Sequence, residues 1–130
     1  MDPVVHFEMP AKDRDRMSDF YAKAFGWVAH KYGEEMGNYV VVHTADTDEN
    51  GMIQQKGAIN GGLFPVKESD PPQYPSVVIS VDDIHASVKK IQEAGGKVNG
   101  EPMKIPGIGL YVQFTDTEGN VSSILQPVMR

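Results

Sequence analysis

Apolar and polar residues alternate over residues 4–9, with Val5, Phe7 and Met9 on one face and His6 and Glu8 on the other. A period of two predicts a half-buried strand. After Pro10, Asp13 is a candidate N-cap, Met17, Phe20, Tyr21 and Ala24 recur at helical spacing, and Gly26 offers a left-handed stop. A helix laid on a sheet follows. Phe7, Phe20, Tyr21 and Trp27 are expected to hold that helix down. Residues 27–32 and 39–44 read as two further strands, joined by a turn containing Gly33 and Gly37. A polar loop over 45–55 then leads into a glycine-rich strand at 57–64, so the first unit reads βαβββ.

The same series then returns. A strand at 77–81 precedes a helix capped by Asp82 or Asp83, with Ile84, Val88 and Ile91 on one face and Gly95-Gly96 at its end. Lys97 and Val98 begin a strand, 105–109 is a turn, 110–115 alternates as a strand, 116–120 turns tightly, and 121–126 is the last strand. Asp13 and Asp83 stand 70 residues apart, and Gly26 and Gly95 stand 69 apart. Two copies of one supersecondary unit are implied, and the proline-rich segment at 65–75 is a stiff connection between them. The predicted class is α+β: one domain over 1–130, built from two βαβββ modules at about 3–65 and 75–128 related by a pseudo-twofold axis, their curved sheets forming an open cleft.

Composition narrows the chemistry. With 40% apolar residues in 130, an ordinary core can form. No run approaches the roughly 18 apolar residues of a membrane span, and the start at Asp2-Pro3 has no apolar signal segment, so a cytoplasmic protein without a membrane partner is expected. The absence of cysteine removes disulfides, thiolate metal sites and thiol nucleophiles. A net charge of -6, with 12 scattered basic residues against 18 acidic ones, disfavours nucleic acid.

His6 and Glu8 project from one strand face, so Glu8 could raise the imidazole pKa and His6 could act as a base; a structural pair is the alternative. His43 shares a face with Tyr39 and Val41 and reads as a surface residue, as do His30 and His85. Asp46, Asp48 and Glu49 lack the glycine and closing glutamate of a calcium loop and read as solvated. Gly107-Ile108-Gly109 is a hairpin turn, and nucleophile-elbow, Walker and dinucleotide fingerprints are absent.

Three segments carry a family resemblance: His6, Asp13 and Phe20-Tyr21 before Phe25-Gly26-Trp27; Val81-Asp82-Asp83-Ile84 through Ala94-Gly95-Gly96; and 116–120 before the last strand. In this order they resemble the vicinal oxygen chelate superfamily, which includes glyoxalase I, extradiol dioxygenases, fosfomycin resistance proteins and bleomycin-binding proteins. The resemblance implies the paired βαβββ modules, an open cleft and a homodimer. It also implies four metal-ligand positions, which fall on His6, on the strand near Asn60 to Leu63, on Ser76 and on Ser123. Two of these are hydroxyls where imidazole and glutamate are usual, and the second strand offers neither group. A complete divalent-metal site is therefore not expected, and His6 stands at most as a remnant ligand. By the same resemblance Gly61-Gly62 is a bare strand with room for a ligand, a bulge being the structural alternative.

The expectation is a glyoxalase/bleomycin-resistance-like protein that needs no cofactor and binds a small organic molecule in a cleft lined by His6, Glu8, Ser76, Val78, Tyr111, Gln113 and Ser123. The alternative is a lyase or isomerase of glyoxalase type, with His6 and Glu8 moving a proton or holding a metal weakly. A module for protein interaction is the third reading, favoured if the cleft is filled by its own side chains.

Overall fold

The computed structural model describes residues 1–128; the last two residues of the 1–130 domain lie outside the described residues. Its elements are β1 (Val4–Ala11), α1 (Arg14–Phe25), β2 (Val28–Lys31), a 3-10 turn (Glu34–Met36), β3 (Val40–His43), β4 (Asn60–Pro65), β5 (Ser76–Ser80), α2 (Ile84–Glu93), β6 (Lys97–Ile105), β7 (Gly109–Thr115) and β8 (Val121–Pro127). The order βαβββ thus occurs twice, and the class is α+β. The chain clusters into two compact units: residues from His6 to Pro75, and Met1–Val5 together with the residues from Ser76 onward.

In the first unit the strands run in the order β2-β3-β4-β1. β1 lies parallel to β4, while β3 is antiparallel to both β4 and β2. Asp13 caps α1 by accepting the Arg16 N–H at 3.0 Å, and Gly26 ends it at φ 75° with its N–H bonded to the Ala22 carbonyl. The helix covers the odd face of β1: Ala11, Val40, Val42 and Leu63 form the buried core, with Phe7, Met9, Met17, Trp27 and Ala29 packed on it. Burying these side chains supplies the unit's main stabilisation, roughly 1.5–3 kcal/mol for each large aliphatic.

Phe20 departs from the sequence expectation. It is 57% exposed, as Phe25 is at 64%, and neither belongs to the core. Tyr21 and Trp27 hold the helix instead, stacked at 4.6 Å and 12°, and Phe20 meets the edge of Tyr21 at 5.0 Å. A residue one position round the helix from Tyr21 is turned about 100° away from the sheet.

The second unit repeats the arrangement as β5-β8-β7-β6, with β5 parallel to β8 and antiparallel pairing beyond. Asp83, of the two candidate caps, accepts the N–H groups of His85 and Ala86. Gln126 Oε1 accepts the Ile84 N–H at 2.9 Å, so this side chain serves the helix face. Val81, Ile84, Val112 and Ile124 form the second core. β6 is longer than its first two residues suggested, because a register shift between Asn99 and Met103 lets the ladder pass Gly100 and Pro102. In the turn before β8, the Asp116 carboxyl accepts from Glu118 and Asn120, and these bonds, led by the Asn120 side chain, hold it below the usual carboxylate range.

The ladders put the strands of the two modules in one-to-one correspondence by register. Met9 pairs with Leu63 and Leu63 with Val40; Ile79 pairs with Ile124 and Ile124 with Val112. His6, Glu8, Tyr39 and Gly62 therefore correspond to Ser76, Val78, Tyr111 and Ser123.

Candidate functional site

The face of the first sheet opposite α1 carries the polar residues that strand alternation keeps out of the core. From β1 come His6 and Glu8, from β4 Asn60 and Gly62, and from β3 and its lead-in Tyr39, Val41 and His43. His6 and Glu8 are half-buried, and Tyr39 joins them. Its hydroxyl lies 3.0 Å from His6 Nε2 and donates to Glu8 Oε2 at 3.0 Å. A phenol has one proton to give. With that proton directed at the carboxylate, the hydroxyl oxygen accepts, and Nε2 supplies the other proton.

Tyr39 reaches this position because Gly62 has no side chain. A Cβ at Gly62 would stand 1.7 Å from the Tyr39 hydroxyl oxygen and 2.0 Å from Cζ. On the opposite face, a Cβ at Gly61 would meet the Phe7 ring at 2.4 Å. The two glycines are thus demanded by aromatic rings above and below the strand. This corrects the expectation that the bare strand leaves room for a ligand: Tyr39 and Phe7 fill the space, and β4 pairs regularly with both neighbours without a bulge.

The expected rise in the His6 pKa is also reversed. Burial disfavours the imidazolium and lowers the pKa below its ordinary value, outweighing the opposing attraction of Glu8. The neighbouring His43 is half-buried and tied into the strand ends, its Nδ1 3.3 Å from Asn60 Nδ2, while Asn60 Oδ1 accepts the Thr44 N–H at 2.9 Å. His30 is exposed against Tyr32, and Asp48 is occupied in its own loop by the N–H groups of Asn50 and Met52 and by Gln54.

The remaining sequence candidates lie in the second unit. Ser76, Val78, Tyr111, Gln113 and Ser123 share the sheet face opposite α2, with Ser123 in register with both Val78 and Gln113. Tyr111 and Ser123 bond at 2.6 Å. Val78 and Ser123 are buried, Ser76 and Tyr111 half-buried and Gln113 exposed. Tyr39 is the residue that sequence reading missed as a functional candidate. The available signal was its match to Tyr111, each tyrosine standing one position before a buried valine, Val40 and Val112.

These residues do not fit a divalent metal. The four positions implied by the family carry one imidazole, the strand from Asn60 to Leu63 with neither carboxylate nor imidazole, and two serines, one of them bonded to Tyr111. Neutral hydroxyls cannot replace carboxylate and imidazole donors. Among the described residues, no three His, Cys, Asp or Glu side chains gather as a metal-holding group.

Comparison with known proteins identifies the family and the fold. The chain is 28% identical over 120 residues to a glyoxylase-like domain-containing protein of Didymella fabae, covering 90% of this chain and 88% of that one. It is 25% identical over 125 residues to a "Probable lactoylglutathione lyase" of Vibrio cholerae, covering 95% and 89%. With CFP32 of Mycobacterium tuberculosis it shares 34% identity over 67 residues, 52% of this chain, and that match spans about a quarter (26%) of the relative's length. Among solved structures, methylmalonyl-CoA epimerase in complex with methylmalonyl-CoA and NH4+ has the same fold at a TM-score of 0.72 and 18% identity, covering 99% of this chain and 96% of that one. The Streptomyces coelicolor methylmalonyl-CoA epimerase gives 0.71 at 17% identity, over 98% and 95%. The family description "Glyoxalase/Bleomycin resistance protein/Dioxygenase superfamily" matches residues 4–124, and the chain belongs to that superfamily.

Proposed function

We propose that this protein binds a small organic molecule bearing a carbonyl or carboxylate group on the polar sheet face of its first module, without a complete metal site. The observation that carries the reading is the His6–Tyr39–Glu8 chain, in which imidazole, phenol and carboxylate are half-buried on one face and linked at 3.0 Å each. Such a group presents acceptors, the His6 lone pair and the Glu8 carboxylate, to a hydrogen beside a ligand's carbonyl at low reorganisation cost, next to apolar sheet residues as in small-molecule sites. The structural neighbour that holds an acyl-coenzyme A supports the same chemical class. Ser76, Val78, Tyr111, Gln113 and Ser123 are proposed as further ligand contacts. A cytoplasmic setting and a homodimer complete the proposal; no helix is long and apolar enough to cross a membrane among the described residues.

The test is a melting-temperature screen of small keto acids, dicarboxylates and acyl thioesters with chelator present. Binding to the folded state raises the apparent stability. A shift that disappears in His6→Ala supports the reading; shifts that appear only with divalent ions contradict it.

A second reading follows from the lowered His6 pKa, which keeps the imidazole neutral and able to accept a proton near pH 7. Glu8 would then stabilise, through Tyr39, the charge that develops when the proton arrives. This supports a lyase or isomerase of glyoxalase type acting beside a carbonyl, a role in which positioned general bases contribute about 10²–10⁴-fold. Exchange of a ligand C–H for deuterium in heavy water, lost in His6→Ala, is the expected sign; exchange unaffected by that change rules His6 out.

A further inference from the structure

The two modules provide an internal comparison. In each, a tyrosine at or just before the third strand reaches over the fourth: Tyr111 bonds Ser123 at 2.6 Å, and Tyr39 lies over Gly62, the corresponding residue. The outcomes differ because the first strands differ. In the second module the positions of His6 and Glu8 are taken by Ser76 and Val78, a hydroxyl and an apolar side chain. In the first module both are present, and Gly62 lets the phenol sink between them to 3.0 Å from each. The sheet would accommodate an ordinary side chain at position 62 as far as its backbone is concerned; the ring above it is what excludes one.

The hydrogen-bond direction has a chemical consequence. Neutral imidazole carries its proton on one nitrogen and a lone pair on the other. With the Tyr39 proton on Glu8, the His6 proton sits on Nε2 and the lone pair on Nδ1. We propose that Tyr39, seated over Gly62, is a positioning residue that holds His6 in the Nε2–H form and so makes Nδ1 the atom that accepts a proton from a ligand whose C–H, N–H or O–H lies beside a carbonyl. The proposal rests on the small-molecule reading above for the ligand and stands on the unliganded protein for the tautomer. When Nδ1 takes the proton, the ligand keeps the electron pair of the broken bond, the imidazole becomes a cation, and its Nε2–H bond to Tyr39 strengthens toward Glu8.

The test is nitrogen-15 NMR of protein labelled at histidine, with His6 assigned by its loss in His6→Gln. Nitrogen shifts distinguish the two tautomers without any ligand. The wild type is expected to show His6 almost wholly as Nε2–H, with that proton slow to exchange with water. Tyr39→Phe keeps the ring and removes the hydroxyl, and is expected to raise the Nδ1–H fraction several-fold and to speed exchange of the Nε2 proton. Gly62→Ala, which evicts the ring while leaving the hydroxyl in the chain, should reproduce both effects. A wild type dominated by Nδ1–H overturns the proposal, as does a Tyr39→Phe protein whose tautomer ratio and exchange match the wild type. Absence of any small-molecule ligand would sink the function proposed above and leave this tautomer assignment intact, so the two failures are distinguishable.

Discussion

Gly62→Ala is the perturbation whose size can be worked from the structure most directly. The added methyl would stand 1.7 Å from the Tyr39 hydroxyl oxygen, 2.0 Å from Cζ and 2.4 Å from Cε1, whereas real Cβ atoms essentially never approach within 3.0 Å. Tyr39 must leave. Its departure breaks the links to His6 and Glu8, each worth about 0.5–1.5 kcal/mol net and more where a charged partner loses its donor. Overpacking that is only partly relieved adds roughly 1–3 kcal/mol. A loss of about 2–4 kcal/mol follows, read by urea unfolding with the m-value checked for constancy. The cause is separable from any general intolerance of alanine at this position. In a Tyr39→Ala background the obstructing ring is gone, so Gly62→Ala should be nearly neutral, and the double-mutant cycle should return a coupling of about 2 kcal/mol or more. A Gly62→Ala protein within about 0.5 kcal/mol of wild type, or one equally destabilised in both backgrounds, would refute the reasoning, since surface substitutions without a specific mechanism fall in that range.

Three further outcomes are expected. Tyr111→Phe removes the partner of Ser123, whose residue is 1% exposed, and should cost about 1–2 kcal/mol; adding Ser123→Ala should recover part of this, because both ends of the bond are then gone. Asp83→Ala removes the acceptor for two N–H groups at the start of α2 and should cost about 1 kcal/mol in thermal or urea unfolding. The His6 pKa is lowered by burial, so the unfolded chain takes up a proton near the ordinary 6.5 while the native protein resists it until lower pH. Its contribution is complete above pH 6.5 and is lost as pH falls through the folded value. His6→Gln should flatten that part of the stability profile, and an unchanged slope would contradict the assignment.

Local rules made the architecture legible. Each βαβββ unit follows from strand alternation and from caps at Asp13, Gly26 and Asp83, all of which depend on residues a few positions apart. The site was legible only in part. His6 and Glu8 share a face because the strand period is two, and Ser76, Val78, Tyr111, Gln113 and Ser123 share one for the same reason. Tyr39 was not, because its contacts are 33 and 31 residues distant and depend on the register of β1, β4 and β3 together. The space over Gly62 looked empty for the same reason. The sign of the His6 shift also lay beyond sequence: a neighbouring carboxylate predicts a rise, and only the packed structure shows that desolvation outweighs it. Phe20 failed differently, since its helical spacing suits the core while its actual azimuth turns it outward.

The central claim is that a hydrogen-bonded His6–Tyr39–Glu8 face, and not a metal, organises this member of the superfamily. It is tested most directly by elemental analysis of the tag-free protein, with the same sample melted in the presence and absence of zinc, nickel and manganese. The account predicts metal far below one ion per chain and an unchanged melting temperature. Near one ion per chain with a raised melting temperature would contradict it.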